Sequence, residues 1–186
     1  VRVLGGGANG VAYLLPTDIV LKWTRDYDEA AIGKRLLPKA QPGLPRVIYS
    51  AKLPKKVGHH ARQTRGRGGD EYLLALEYAV PSTALPAPVR REFKPVSKVI
   101  DGKADASTLN KQQRQWLGDL IKAVRFIEQQ DMFDEEAIFY LGEECDCHEG
   151  NLGLVERNGR LMAVIIDLGQ GATAKPPKVR IARNRP

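Results

Sequence analysis

Short apolar runs broken by glycine, proline and aspartate fill the two ends of this chain, and a helical stripe fills its middle. Val11-Ala12-Tyr13-Leu14-Leu15 leads through Pro16-Thr17-Asp18 into Ile19-Val20-Leu21-Lys22-Trp23. Runs of that length around a turn-forming trio predict strand, turn, strand. Residues 152–166 repeat the pattern: an apolar run, then Arg157-Asn158-Gly159-Arg160, then a second apolar run. Asn-Gly predicts a hairpin there, because both central residues of a type I′ turn need positive φ. From Thr108 to about Gln130, Leu117, Leu120, Ile121, Val124 and Ile127 recur at helical spacing and mark one apolar face, with Ser107 or Thr108 as the expected cap. Trp116 and Phe126 on that stretch are expected to pack. Residues 81–95 hold several prolines and are expected to form an extended linker.

The second hairpin carries chemistry at both ends. Asp146-Cys147-His148-Glu149-Gly150-Asn151 precedes it and Asp167-Leu168-Gly169 follows it. Asp146 suits the orientation of an attacking hydroxyl. The Asn151 amide oxygen and the Asp167 carboxylate are hard ligands of the kind magnesium takes beside a triphosphate. A hairpin returns two sequence-distant ligands to one place. At the other end of the chain, Gly5-Gly6-Gly7-Ala8-Asn9-Gly10 has the spacing Gly-x-Gly-x-x-Gly. A dinucleotide-binding loop shares this spacing but opens a helix. Here strand follows, so the glycines sit in a hairpin whose backbone is suited to fold over phosphates, and Lys22 on the next strand is suited to reach them.

Composition narrows the setting. A chain of 186 residues with 42% hydrophobic content supports one compact domain or a two-lobed unit. No apolar run approaches the roughly 20 residues that span a bilayer, and no signal peptide opens the sequence, whose first residue is not Met and suggests a processed end. Cys145 and Cys147 stand too close for an ordinary structural disulfide, which points to a reducing cytoplasm. With His148 they offer three soft ligands where a structural zinc wants four. The net charge of +7 is uneven. Lys52, Lys55, Lys56, Arg62, Arg65 and Arg67 crowd a glycine-rich loop, and Lys175, Lys178, Arg180, Arg183 and Arg185 form a Pro-containing tail. These clusters suit solubility or the docking of acidic proteins. Nucleic acid is the less favoured partner, since no aromatic residues interleave.

Taken together, the glycine hairpin, the lysine strand, and the motifs at Asp146, Asn151 and Asp167 resemble the protein-kinase-like superfamily over nearly the whole chain. The likeness is nearest to the short early serine/threonine protein kinases of podophages. Those share the Val11-Ala12-Tyr13 step, the Pro42-Gly43-Leu44-Pro45 stretch before a fourth strand over residues 46–53, and a loop of the form Asp-x-His-x-Gly-Asn. The loop form is also found in small-molecule kinases of the aminoglycoside type.

The resemblance implies an α+β, minimal two-lobed fold. Residues 1–80 would form an N-lobe, an antiparallel sheet with one helix. Residues 81–107 would be hinge and linker, residues 108–174 a reduced, mainly helical C-lobe, and residues 175–186 a basic tail. It implies ATP and Mg²⁺ as cofactors. Gly5, Gly7, Gly10 and Lys22 would hold the phosphates, and Glu29 would pair with Lys22. The backbones of Glu77 and Ala79 would meet adenine beside Leu76, Asp146 would act as base, and Asn151 and Asp167 would hold the metal. Protein substrates, including proteins of a host cell, would dock through residues 52–67 and 175–186, in the cytoplasm and without a membrane. Glu144-Cys145 and Leu168 depart from the pattern of many kinases, and seventeen residues follow Gly169. The alternatives are a small-molecule kinase and a nucleotide-binding regulator with little turnover.

Overall fold

In a computed structural model of the chain, residues 1–6, 10–37, 39–54, 70–129 and 149–167 are described. They form an α+β protein of two compact units, one comprising Val1–Ala40 and Pro45–Tyr78, the other Gln41–Leu44 and Ala79–Pro186.

The apolar runs of the first unit become β1 (Arg2–Gly6), β2 (Gly10–Leu14), β3 (Ile19–Thr24), β4 (Val47–Lys52) and β5 (Tyr72–Glu77). They make one antiparallel sheet in the order β1-β2-β3-β5-β4. Helix α1 (Tyr27–Leu36) packs on this sheet, burying Ala30, Ile32 and Leu36 with Val47, Leu74 and Leu76. Its start is built by Thr24 and Asp26. The Thr24 hydroxyl accepts the Asp26 N–H at 3.0 Å, and the Asp26 carboxylate accepts the Glu29 N–H at 3.1 Å. Each bond satisfies a donor near a helix end that has no partner within the helix.

In the second unit, β6 (Val80–Pro81) joins β7 (Leu152–Arg157) and β8 (Arg160–Ile165) in a three-stranded sheet. The expected hairpin turn is present, with Asn158 at φ 53° and Gly159 at φ 70°. Residues 81–95, within the expected 81–107 hinge and linker, are not an extended linker. Helix α2 (Ala87–Ile100) occupies most of that stretch and buries Phe93, Val96 and Ile100. Two of the prolines stand where a helix start accepts them, whereas Pro95 lies inside the helix. Pro86 is the cap and Pro88 lies in the first turn, where its missing N–H would have no partner anyway. Helix α3 (Lys111–Glu128) covers the predicted apolar stripe, with Leu117, Leu120, Val124 and Ile127 buried and Ile121 half-buried. Its cap is Asn110 rather than Ser107 or Thr108. Asn110 and Gln113 exchange side-chain to backbone bonds at 2.9 Å in both directions, a capping box written as Asn-x-x-Gln. Ser107 and Thr108 lie in a separate 3-10 turn capped by Asp105.

Residues 41–44 also depart from the expected 1–80 segment, for they belong to the second unit. The Gly43 carbonyl accepts the Ile165 N–H at 2.9 Å, and the Arg157 guanidinium donates to the carbonyls of Leu44 and Gln41 at 2.8 and 3.5 Å. Gly43 has φ +76°, and a Cβ there would lie 2.0 Å from the Asp119 carbonyl oxygen. Only glycine fits both conditions, which explains the glycine of the Pro-Gly-Leu-Pro stretch.

Candidate functional site

In the first unit, Lys22 stands in the middle of β3, paired with Ala12 on β2 and Leu74 on β5. Its ammonium lies 2.5 Å from the Glu29 carboxylate, with side chains 14% and 2% exposed. The pair is held by a strand on one side and, on the other, by a helix whose first turn Asp26 fixes. Two charges withdrawn from water this far depend on each other, since either one alone would be a buried, uncompensated ion. Sequence reading named Glu29 but missed Asp26, although Asp26-x-x-Glu29 has the spacing of a capping pair.

The glycines lie at the turn end of β1 and β2. Gly5 pairs with Ala12 and Gly6 with Val11, after a register shift beginning at Val3. A Cβ at Gly10 would sit 2.2 Å from the Trp23 carbonyl oxygen, so this glycine is required by the close approach of β3. No atom lies within 4 Å of the corresponding position at Gly5, which has no such internal requirement. Gly7 falls outside the described residues. At the end of β5, the Glu77 amide donates to the Arg46 carbonyl at 2.9 Å, and the Glu77 carboxylate accepts the Arg46 N–H at 3.1 Å. That amide is therefore engaged within the first unit.

In the second unit, backbone register does the work. Leu152 pairs with Ile165, and beyond that pair the Ile166 N–H donates to the Asn151 carbonyl at 2.8 Å. Asn151 and Asp167 thus flank the open end of one hairpin, opposite its turn. Both are partly exposed. Ala79 is 6% exposed and packs with Val155, Val164, Met162 and Ile166 on one face of this hairpin. Its other face, with Leu152, Leu154, Ala163 and Ile165 buried, belongs to the core that α3 covers. The far end is fastened to α3. The Trp116 indole donates to the Leu161 carbonyl at 3.0 Å, and the Arg160 guanidinium donates to both Asp119 carboxylate oxygens at 3.1 and 3.0 Å. Burial pushes the Asp119 carboxyl above the usual aspartate range, against the pull of Arg160, Lys122 and the Ala163 N–H.

Ser82 was missed because it lay in the supposed linker. It is 1% exposed, and its hydroxyl donates to the Glu149 carbonyl at 2.6 Å. Glu149 opens the 3-10 turn Glu149–Asn151, so Ser82 fixes the approach to Asn151. Asp146, Cys145, Cys147 and His148 lie outside the described residues, as do residues 55–67 and the tail 175–186. Of the basic loop, Lys52 is described: it pairs with Asp70 at 2.5 Å, and that hydrogen bond raises its pKa.

Compared with known proteins, the chain matches no family model and no curated protein sequence. Among the described residues, no group of three or more His, Cys, Asp and Glu side chains gathers as a metal site. Magnesium needs no such group, since it keeps waters and phosphate oxygens beside one or two protein ligands. Among the described residues no helix is long and apolar enough to cross a membrane.

Proposed function

We propose that this protein is an ATP-dependent phosphotransferase of the protein-kinase-like superfamily, and within it a phage-type serine/threonine protein kinase acting on protein hydroxyls in the cytoplasm. In this reading the first unit is an N-lobe and the second a reduced C-lobe. The observation that carries the proposal is the hairpin register, which leaves Asn151 and Asp167 together at its open end. The buried Lys22–Glu29 pair on β3 and α1 supports it.

The residues fit the cofactors by donor chemistry. Asn151 and Asp167 offer hard oxygens for magnesium, and Lys22 is a cation held in place beside the glycine hairpin. Magnesium, when bound, neutralises charge on the β- and γ-phosphates. Lys22 binds the α- and β-phosphates, and Glu29 holds its side chain in the one position where it serves. Gly5 leaves backbone uncovered for a phosphate to approach. Asp146 accepts a hydrogen bond from the acceptor hydroxyl and aligns it for in-line attack. Ser82 keeps the turn before Asn151 from shifting.

Mg-ATP should raise the unfolding free energy, by about 2.7 kcal/mol at a hundredfold excess over Kd. Asp167→Ala should remove the magnesium-dependent part of that rise. With γ-labelled ATP and a bacterial lysate, the protein should label protein bands that vanish with Asp146→Asn. Label in small molecules alone would favour the small-molecule kinase. Absence of both a thermal shift and calorimetric binding with Mg-ATP would sink the proposal.

A further inference from the structure

The outer face of α3 has an unusual makeup. Lys111, Arg114, Gln115, Lys122, Arg125 and Gln129 are exposed, with Gly118 half-buried among them. At about 100° per residue these positions form one stripe, opposite the buried Trp116, Leu120 and Ala123. The stripe contains four cations and no acid. A merely solvated helix face usually mixes both signs, because Glu–Lys pairs one turn apart stabilise it. Among the described residues none of the four cations forms a salt bridge, although Arg114 donates to the Leu109 carbonyl. Asp119 of the same helix is turned inward to Arg160, though Lys122 still acts on its carboxylate through space.

Two details oppose helix stability and so call for another reason. Lys111 and Arg114 lie in the first turn, at the positive end of the helix dipole, where cations are unfavourable. Gly118 sits inside the helix with nothing within 4 Å of its Cβ position, so no internal packing requires it. What it provides is a gap in the middle of a cationic stripe, where a partner could approach the helix backbone. Helix α2, packed on α3 through Phe93 and Trp116 at 5.5 Å, exposes Arg90, Arg91, Lys94 and Lys98 together with Glu92.

We propose that the outer face of α3 binds the phosphodiester backbone of double-stranded nucleic acid. From Lys111 to Arg125 the stripe is about 21 Å long, a length over which duplex DNA carries about a dozen charges. The stripe lacks the aromatic or aliphatic anchor that protein interfaces use, which disfavours a protein partner. It also lacks the rings on which single strands stack. This surface is independent of the proposed phosphotransfer site.

The test measures anisotropy of a labelled 20-base-pair DNA duplex with the full chain, from 50 to 200 mM salt. Gly118→Glu places an acid in the stripe and keeps the helix, since glutamate is the better helix former. It should weaken binding by about tenfold. Thr17→Glu, on an exposed turn of the first unit, changes net charge equally and should have little effect. Replacing Lys111, Arg114, Lys122 and Arg125 with Gln should reduce the slope of log K against log salt by up to about 3.6. No binding at 50 mM salt, unchanged binding by Gly118→Glu, or equal weakening by the two Glu variants would each overturn the proposal. Competition by polyglutamate as effective as that by unlabelled duplex would assign the face to acidic proteins and overturn it as well.

Discussion

The Lys22–Glu29 pair and the Asn151–Asp167 hairpin end reach order by different means. Lys22 and Glu29 come from a strand and a helix, and their buried charges hold each other. Asn151 and Asp167 adjoin the two strands of one hairpin, whose backbone ladder ends with the Ile166 N–H on the Asn151 carbonyl. The first arrangement ties candidate chemistry to stability. The second draws its order from local backbone pairing within one hairpin.

The largest expected effect lies in the first arrangement. Glu29→Ala should destabilise by about 3–5 kcal/mol, because it leaves the Lys22 ammonium buried without its counter-ion. Lys22→Met combined with Glu29→Leu should recover most of that loss, since an apolar pair of similar volume removes both desolvation penalties. Urea unfolding of the single and double variants measures the difference. A single-variant loss below about 1 kcal/mol, the range of exposed pairs, would place both charges effectively in solvent.

Hairpin stability should respond to the turn instead. Gly159 sits at φ 70°, so Gly159→Ala should cost about 1–2 kcal/mol, the left-handed penalty for a residue with a Cβ. Magnesium-dependent stabilisation by ATP should persist in this variant, because the turn lies at the end of the hairpin away from Asn151. Loss of the magnesium response together with stability would show that the turn sets the geometry of the ligand end.

Local signals were legible in the sequence and distant ones were not. Asn158-Gly159 announces its hairpin because the φ requirement belongs to two adjacent residues. The α3 stripe is legible because its period is carried within one helix. Helix α2 is hidden by its prolines: Pro86 and Pro88 stand where a helix start accepts them, and Pro95 is carried inside a helix whose Phe93, Val96 and Ile100 are buried. The demand on Gly43 comes from the Asp119 carbonyl on α3, and no local pattern shows such a contact. Ser82 likewise acquires meaning only beside Glu149. Of the candidate site, Lys22, Glu29, Asn151 and Asp167 have positions in the described structure, while Gly7 and Asp146 lie outside it.

The smallest expected effect is at the hairpin's other fastening, where the ion pair is buried on one side alone. Asp119 has a side chain 3% exposed, whereas that of Arg160 is 48% exposed. Burial of the carboxylate outweighs what Arg160, Lys122 and the Ala163 N–H return, so the folded-state pKa stands above the usual 3.8. The native state therefore retains a proton that the unfolded chain has already lost. Over the window from about 3.8 up to the raised folded value, stability falls as pH increases, and above that window the loss is complete. Asp119→Asn cannot ionise and should lack this decline. The wild-type stability minus that of the Asn variant should accordingly shrink as pH rises through the window, measured by urea unfolding at fixed salt. A difference that grows with pH would mean that the half-exposed Arg160 more than offsets burial, and that Asp119 resembles Glu29 rather than contrasting with it.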